Sequence, residues 1–401
     1  AREFSACSGP DGARAGSGGS RESGLESALR MDANPSQRLA LLALASLTLW
    51  AGIARAQGLE LLGQPIAPGD QRRLPLPVSE TFVGEEASTP VIVVAGTLPG
   101  PVLCLTAGIH GDELNGIEVV RRSLDRSKPD ELKGTLIGIP IVNLAAFRRS
   151  TRYMPDRRDL NRFFPGRPRG SSAARLAHSV FERVIRSCDA LVDVHSGSFH
   201  RTNLPQVRGD LRRPEVLKLA RAFGSEIAIH NEGRFGTLRR AASEAGIPAI
   251  TYEAGEPMRF QTDEIERGVR GVERMLVQLG MRVAKSDETP APALYYRARW
   301  IRVDDGGILA SRAKLGDVVK ANQVLGTVFD PISNEKSTIR SSHQGRVIGI
   351  ALDQLVMPGF AAFHIATDEP MDGSANPPAA MLPTVDEGAS VGRTEFEERP
   401  D

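Results

Sequence analysis

Between residues 91 and 279, short continuous apolar runs alternate with stretches whose apolar residues recur every three to four positions. The runs at 91–95, 102–109, 135–142, 190–194 and 248–252 are apolar or β-branched nearly throughout, which predicts buried strands. Leu98-Pro99-Gly100-Pro101 predicts a turn between the first two. Helical periodicity marks 114–124, 173–186, 214–223, 237–245 and 262–279. In the second of these, Leu176, Val180 and Val184 share one face. Strands that alternate with helices predict an α/β fold: a mixed, mostly parallel sheet with helices on both faces. This unit is assigned to residues 91–284.

The pattern changes on either side. Residues 57–90 mix Pro with short apolar pieces and are predicted as loops with one or two strands. After a polar, Pro-containing linker at 285–296, residues 297–370 show Gly-rich turns and alternating Val and Ile, which predicts a small all-β barrel-sandwich domain. Residues 371–401 are rich in Pro, Gly and acidic residues and are expected to be disordered. At the other end, residues 1–30 are a Gly-, Ser- and Arg-rich stretch with no apolar period, read as a disordered extension that need not be translated if synthesis starts at Met31. From Met31 the chain reads as a signal peptide spanning 31–56. Arg38 supplies a positive start, 39–53 is apolar, and Ala54-Arg55-Ala56 offers a small-x-small cleavage site before Gln57. The apolar run is short for a membrane span. The expectation is therefore an exported protein, periplasmic or secreted, with no stable membrane insertion after cleavage.

Composition narrows the partners. Fifty Lys and Arg face 49 acidic residues, for a net charge of +1, so no global field points to nucleic acid or a membrane surface. Among the three cysteines, Cys104 and Cys188 sit in or beside apolar segments and read as buried thiols, although a disulfide between them is not readable from sequence. No Cys-x-x-Cys occurs, which argues against a cysteine zinc site. Homo-oligomerisation is left open.

Four segments carry candidate chemistry. In Gly108-Ile109-His110-Gly111-Asp112-Glu113, at a strand-to-helix junction, one turn can aim His110 and Glu113 at a common point. The plain alternative is an N-terminal cap for the helix. Asp193-Val194-His195-Ser196-Gly197 places a second histidine beyond a strand end, where open α/β sheets bind ligands. Two histidines and one glutamate match a catalytic zinc with an open fourth position. Asp193 shares a strand face with His195 and is either its support or a buried carboxylate satisfied by backbone donors. In Thr251-Tyr252-Glu253-Ala254-Gly255-Glu256, Glu253 is a candidate general base, with Glu256 as its rival. Asn161 and Arg162, within Asp159-Leu160-Asn161-Arg162, suit a carboxylate, because a guanidinium binds one bidentately. The plain alternative there is a solvated basic loop.

His-Gly-Asp-Glu, Thr-Arg-Tyr at 151–153, Asp-Leu-Asn-Arg, Asp-x-His and Glu-x-Gly, in this order and spacing, resemble the succinylglutamate desuccinylase and aspartoacylase family, a branch of the zinc carboxypeptidase fold. The resemblance spans about residues 91–279. It implies that His110, Glu113 and His195 bind one zinc per chain and that Glu253 is general base and then proton donor. It implies further that Arg152 polarises the scissile carbonyl and that Asn161 and Arg162 hold the substrate carboxylate. Asp112 stands where the named branches carry Asn, and His-Gly-Asp-Glu looks closer to wider deacylases and murein-peptide amidases. The C-terminal segment is similar to a lipoyl or biotinyl carrier, with Lys336 at the carrier position.

The leading expectation is a zinc amidohydrolase that cleaves an acyl–amide bond in a small carboxylate-bearing substrate of the N-acyl amino acid type. An exported carboxypeptidase or amidase acting on short or cell-wall peptides is the enzymatic alternative. A binding module with a carrier-like C-terminal domain is the non-enzymatic one.

Overall fold

The computed structural model describes residues 59–80, 86–283 and 291–367. The expected leader at 31–56, the extension before it, the first part of the linker and the tail at 371–401 lie outside the described residues.

The described chain begins with β1 (Leu59–Leu61), β2 (Gln64–Ile66), β3 (Gln71–Glu80), β4 (Glu86–Ala95) and β5 (Leu98–Ala107). Helix α1 (Leu114–Asp125) leads to β6 (Lys133–Ile139), and α2 (Leu144–Arg148) and α3 (Ser172–Arg183) lead to β7 (Ala190–His195) and β8 (Arg201–Gly209). Next come α4 (Pro214–Phe223), β9 (Ile227–His230), α5 (Leu238–Glu244), β10 (Ala249–Gly255) and α6 (Thr262–Gln278). The C-terminal region is all β: β11 (Ala293–Tyr295), β12 (Arg297–Arg302), β13 (Gly307–Ser311), β14 (Val318–Val319), β15 (Val324–Phe329), β16 (Lys336–Arg340), β17 (Gly345–Ala351), β18 (Leu355–Val356) and β19 (Ala361–Thr367).

Strands β6, β5, β7 and β10 are parallel neighbours, with β4 and β3 added antiparallel beyond β6. Successive residues of the central strands point to opposite faces, and both faces are covered. Thus Cys104, Ile137 and Leu191 join one core with α3 and α5. Leu103, Leu105, Leu136 and Val192 join the other with α1, α4 and α6. This is the expected mixed α/β architecture. Helix α3 forms on the apolar stripe read from the sequence, capped by Ser171, whose side chain accepts from the Ala174 amide.

Three local expectations need correction. Residues 98–101 are not a turn but the exposed start of β5, where Leu98 pairs with Lys133 before a register shift at Val102. Prolines are tolerated there because few ladder donors are needed at a strand's beginning. Strands β8 and β9 were not anticipated, nor was α2. Finally, Cys104 and Cys188 are not free thiols: they form a disulfide, with Cα atoms 5.8 Å apart and a sequence separation of 84. Cys104 lies on β5 and Cys188 just before β7, so the bond staples two neighbouring strands. In the chain-entropy model a loop of that length stabilises by about 4.5 kcal/mol.

The C-terminal strands have their own core around Leu309, Leu325, Val347 and Phe363. They also extend the central sheet. The second half of β8 pairs with β9, and its first half pairs antiparallel with β17, which continues through β19 to β12.

Candidate metal centre

The carboxyl ends of β5, β7 and β10 lie side by side, which places the residues that follow them in one crevice. After β5 the chain turns at Gly108, whose φ of 62° lies in the left-handed region. Gly111 serves a close approach between backbones. A Cβ there would sit 2.1 Å from the Ala146 carbonyl carbon, so glycine lets the loop bearing His110 lie against α2. Glu113 occupies the N-cap position of α1 but makes no side-chain cap hydrogen bond. Both of its carboxylate oxygens are used elsewhere.

They face the two histidines. Glu113 Oε1 lies 2.7 Å from His110 Nδ1, and Oε2 lies 2.7 Å from His195 Nδ1. All three residues are buried, and one donor atom from each lies within 4.8 Å of the others. The opposite ring nitrogens meet carboxylates too: His110 Nε2 is 3.2 Å from Asp159 Oδ1, and His195 Nε2 is 2.8 Å from Asp193 Oδ2. Thr106 Oγ1 donates to the other Asp193 oxygen at 2.7 Å. A neutral imidazole carries one N–H, so it cannot donate to carboxylates on both sides. A divalent cation held by His110, Glu113 and His195 would let each Nε2–H donate outward, to Asp159 and to Asp193. The donor set therefore fits zinc, and Asp193 is the support for His195 that the sequence left undecided. Without a cation, burial favours neutral His195, but Asp193 and Glu113 outweigh it and hold the imidazole pKa well above its ordinary value. Burial likewise opposes the Glu113 carboxylate, which His110 and His195 hold well below the usual range.

Arg152 is brought to the cluster by a loop that the sequence did not explain. Asp159 fixes it, accepting from Nε at 3.2 Å and Nη2 at 2.9 Å. Nη1 lies 3.2 Å from His110 Nδ1 and donates to Ser198 Oγ at 3.0 Å, while Ser198 donates to Glu113 Oε1 at 2.7 Å. Burial works against the Asp159 carboxylate, and Arg152 and His110 overcome it, so its pKa falls far below the usual value. The Asp-Leu-Asn-Arg motif was singled out for its last two residues, yet Asp159 is its most connected member.

Glu253 on β10 is in register with His195 on β7, so both side chains leave the sheet on one side. It is buried, and its Oε2 accepts from Asn203 Nδ2 at 2.9 Å. The rival Glu256 instead pairs with Arg259 at 2.9 Å, and it does not line the crevice. Asn161 and Arg162 do line it. Asn161 Oδ1 accepts from the Leu238 amide at the start of α5, which leaves its Nδ2 hydrogens as the side chain's donors. Arg162 Nη1 donates to the Asn161 carbonyl at 2.7 Å. Arg208 and Arg239, both buried, line the same crevice and were missed, because neither lies in a recognisable motif. Lys336 opens β16, paired with Phe329 in the exposed part of the C-terminal region.

Residues 99–279 match the model of the succinylglutamate desuccinylase/aspartoacylase catalytic domain. The chain is similar to an N-alpha-acetyl-L-2,4-diaminobutyric acid deacetylase of Halomonas elongata. The two are 27% identical over 273 residues, 64% of this chain and 78% of the relative. Among solved structures, a succinylglutamate desuccinylase/aspartoacylase from Rhodobacter sphaeroides superposes with a TM-score of 0.67 at 24% identity, covering 75% of this chain and 96% of that one. The product-bound ectoine utilization protein of Ruegeria pomeroyi superposes with a TM-score of 0.68 at 22% identity, covering 76% and 98%.

Proposed function

Because residues 99–279 belong to the succinylglutamate desuccinylase/aspartoacylase family, a family of deacylases, we propose that this chain is a zinc-dependent amidohydrolase that removes the acyl group from a small N-acyl amino acid. The observation that carries the reading is Glu253 in register with His195, on the wall of a crevice that also holds His110 and Glu113. A pure binding module needs no general base.

His110, Glu113 and His195 hold the zinc, which when bound acts as a Lewis acid and lowers the pKa of water. Glu253 takes a proton from the attacking water and returns it to the leaving nitrogen. Arg152, clamped by Asp159, offers its guanidinium to the developing oxyanion. Asn161 and Arg162 bind the substrate carboxylate. Anion binding has further support: Arg152, Arg162, Arg208, Arg234 and Arg239 line the crevice, against Glu113, Asp193 and Glu253. With a divalent cation added, the net field favours a negatively charged substrate.

The test is amine release by zinc-loaded protein from a panel of N-acetyl- and N-succinyl-amino acids, with short peptidoglycan peptides alongside. Release from N-acyl amino acids is expected. Cleavage of the peptides alone would move the assignment to a carboxypeptidase or amidase. No release from any of them would leave a binding protein.

The carboxylate clamp has its own test. Replacing the Arg162 fork with a point charge, Arg162→Lys, should lower kcat/KM by an amount worth about 1.5–3 kcal/mol, as for hydrogen bonds to charged groups. An analogue with its carboxylate amidated should be a poor substrate and insensitive to that change. Equal turnover of amidated and free substrates by the native enzyme would sink the clamp.

We also propose export. The support is the Cys104–Cys188 disulfide, which favours an oxidising compartment, together with the leader pattern at 31–56. Expressed from Met31 in a bacterium, the mature protein should begin at or near Gln57 by N-terminal sequencing, and a retained 39–53 segment would refute this.

A further inference from the structure

The strand that the sequence concealed, β8, lies between Glu253 and the C-terminal region. On one edge it pairs antiparallel with β10, where Gln206 faces Glu253 and Asn203 faces Gly255, with a register shift between the two pairs. One extra residue on β8 is thereby accommodated, and such bulges re-aim side chains beside active sites. Here the side chain is Asn203, 2% exposed, donating from Nδ2 to Glu253 Oε2 at 2.9 Å. Arg208, farther along β8, holds its guanidinium 3.8 Å from Glu253 Oε1.

On its other edge the same segment is held by the C-terminal strands. Asn203 pairs with Gly349 of β17, Thr202 with Ile350 and Arg201 with Ala351. Gln206 Nε2 donates to the Ile348 carbonyl at 3.0 Å, and Arg201 Nε to the Ala361 carbonyl at 3.0 Å. Arg201 also stacks over Phe360, 4.5 Å from the ring centre, and over Trp300 at 5.1 Å. Gly349 touches the matter directly: a Cβ there would stand 3.0 Å from Asn203 Oδ1.

We propose that Asn203 positions Glu253 for catalysis and that the C-terminal β region, by gripping the far edge of β8, is part of the catalytic apparatus. The proposal rests on Glu253 being the base. A carboxylate that must collect a proton from water and deliver it to nitrogen needs one fixed orientation. The Asn203 amide supplies this by occupying Oε2. Its own place depends on the β8–β17 pairing and on the absence of a side chain at Gly349. The C-terminal strands thus act on the chemistry through backbone register.

Two substitutions at Asn203 separate this from a packing role. Asn203→Asp keeps the shape but replaces the donor with a second carboxylate, whereas Asn203→Ala removes both. If Asn203 only fills space, the aspartate variant is the milder. If it positions Glu253, the aspartate variant is the worse. In the assay with the N-acyl amino acid turned over fastest in the panel, Asn203→Ala is expected to lower kcat by about 10–100-fold, the scale of a misplaced catalytic group. KM should stay within about twofold, zinc content should be native, and Asn203→Asp should lose more. Gly349→Ala, made entirely within the C-terminal region, should lower kcat several-fold with KM unchanged, and it reports on the proposal even where an Asn203 variant does not fold. Native kcat in Asn203→Ala, or a milder effect for Asp than for Ala, overturns the positioning role. Native kcat in Gly349→Ala overturns the part given to the C-terminal strands. Glu253→Gln is run beside them. If it remains active, the base assignment itself is wrong; if it is dead while the Asn203 variants are normal, only the present proposal fails.

Discussion

Glu253→Gln is expected to retain zinc and fold normally while losing kcat by at least about 10²-fold, the low end of what a general acid–base residue contributes. Several facts set this expectation. Glu253 ends β10 beside His195, it is buried, and Asn203 holds one oxygen while the other faces Arg208. The amide is nearly isosteric and can still be held in place, but it can neither take a proton from water nor hand one to a leaving amine. KM should therefore change little, since Glu253 is not among the groups assigned to the substrate carboxylate. Glu256→Gln is the control, because Glu256 is engaged with Arg259 and does not line the crevice. If the Glu256 variant is the dead one, the wrong carboxylate has been chosen.

His195→Ala and His110→Ala should each lose metal and activity together. Native protein should hold about one zinc per chain, and either variant should fall to a small fraction of that, because a site with two protein ligands binds zinc far more weakly than one with three. Asp193→Asn should have a graded effect: the carboxylate that orients His195 through Nε2 becomes neutral, and zinc affinity should fall by about 10–100-fold, as for other partners of metal-bound histidines. Metal content by mass spectrometry, with a zinc-buffered competition for Asp193→Asn, provides the readout. Full metal content in both histidine variants would refute the assignment.

What the sequence disclosed and what it concealed have physical reasons. The helices and central strands were legible because each has to cover or be covered by the sheet, which forces a 3.6-residue stripe or an apolar run. The stripe of Ser172–Arg183 and the run of Ala190–His195 are examples. The candidate metal cluster of His110, Glu113 and His195 was legible because His-x-x-Glu and a strand-end histidine are short-range patterns. Strand β8 was not, because Arg201, Asn203, Gln206 and Arg208 are buried polar residues that serve the site and its neighbours. A strand whose inner positions are polar for functional reasons has no hydrophobic alternation to read. The disulfide escaped for a different reason: Cys104 and Cys188 meet only after β5 and β7 have paired across 84 residues of chain. Asp159 and Ser198 were hidden because their roles consist of holding Arg152 and Glu113, which depends on distances that no spacing encodes.

The central claim, that this chain is a deacylase working through one zinc held by His110, Glu113 and His195, is tested most directly by titrating metal-stripped protein with zinc while following amine release from the best N-acyl amino acid. Activity should be absent at the start, rise in proportion to added zinc and level off at about one equivalent per chain. Turnover by the metal-free protein, or none at any zinc concentration, would contradict the account.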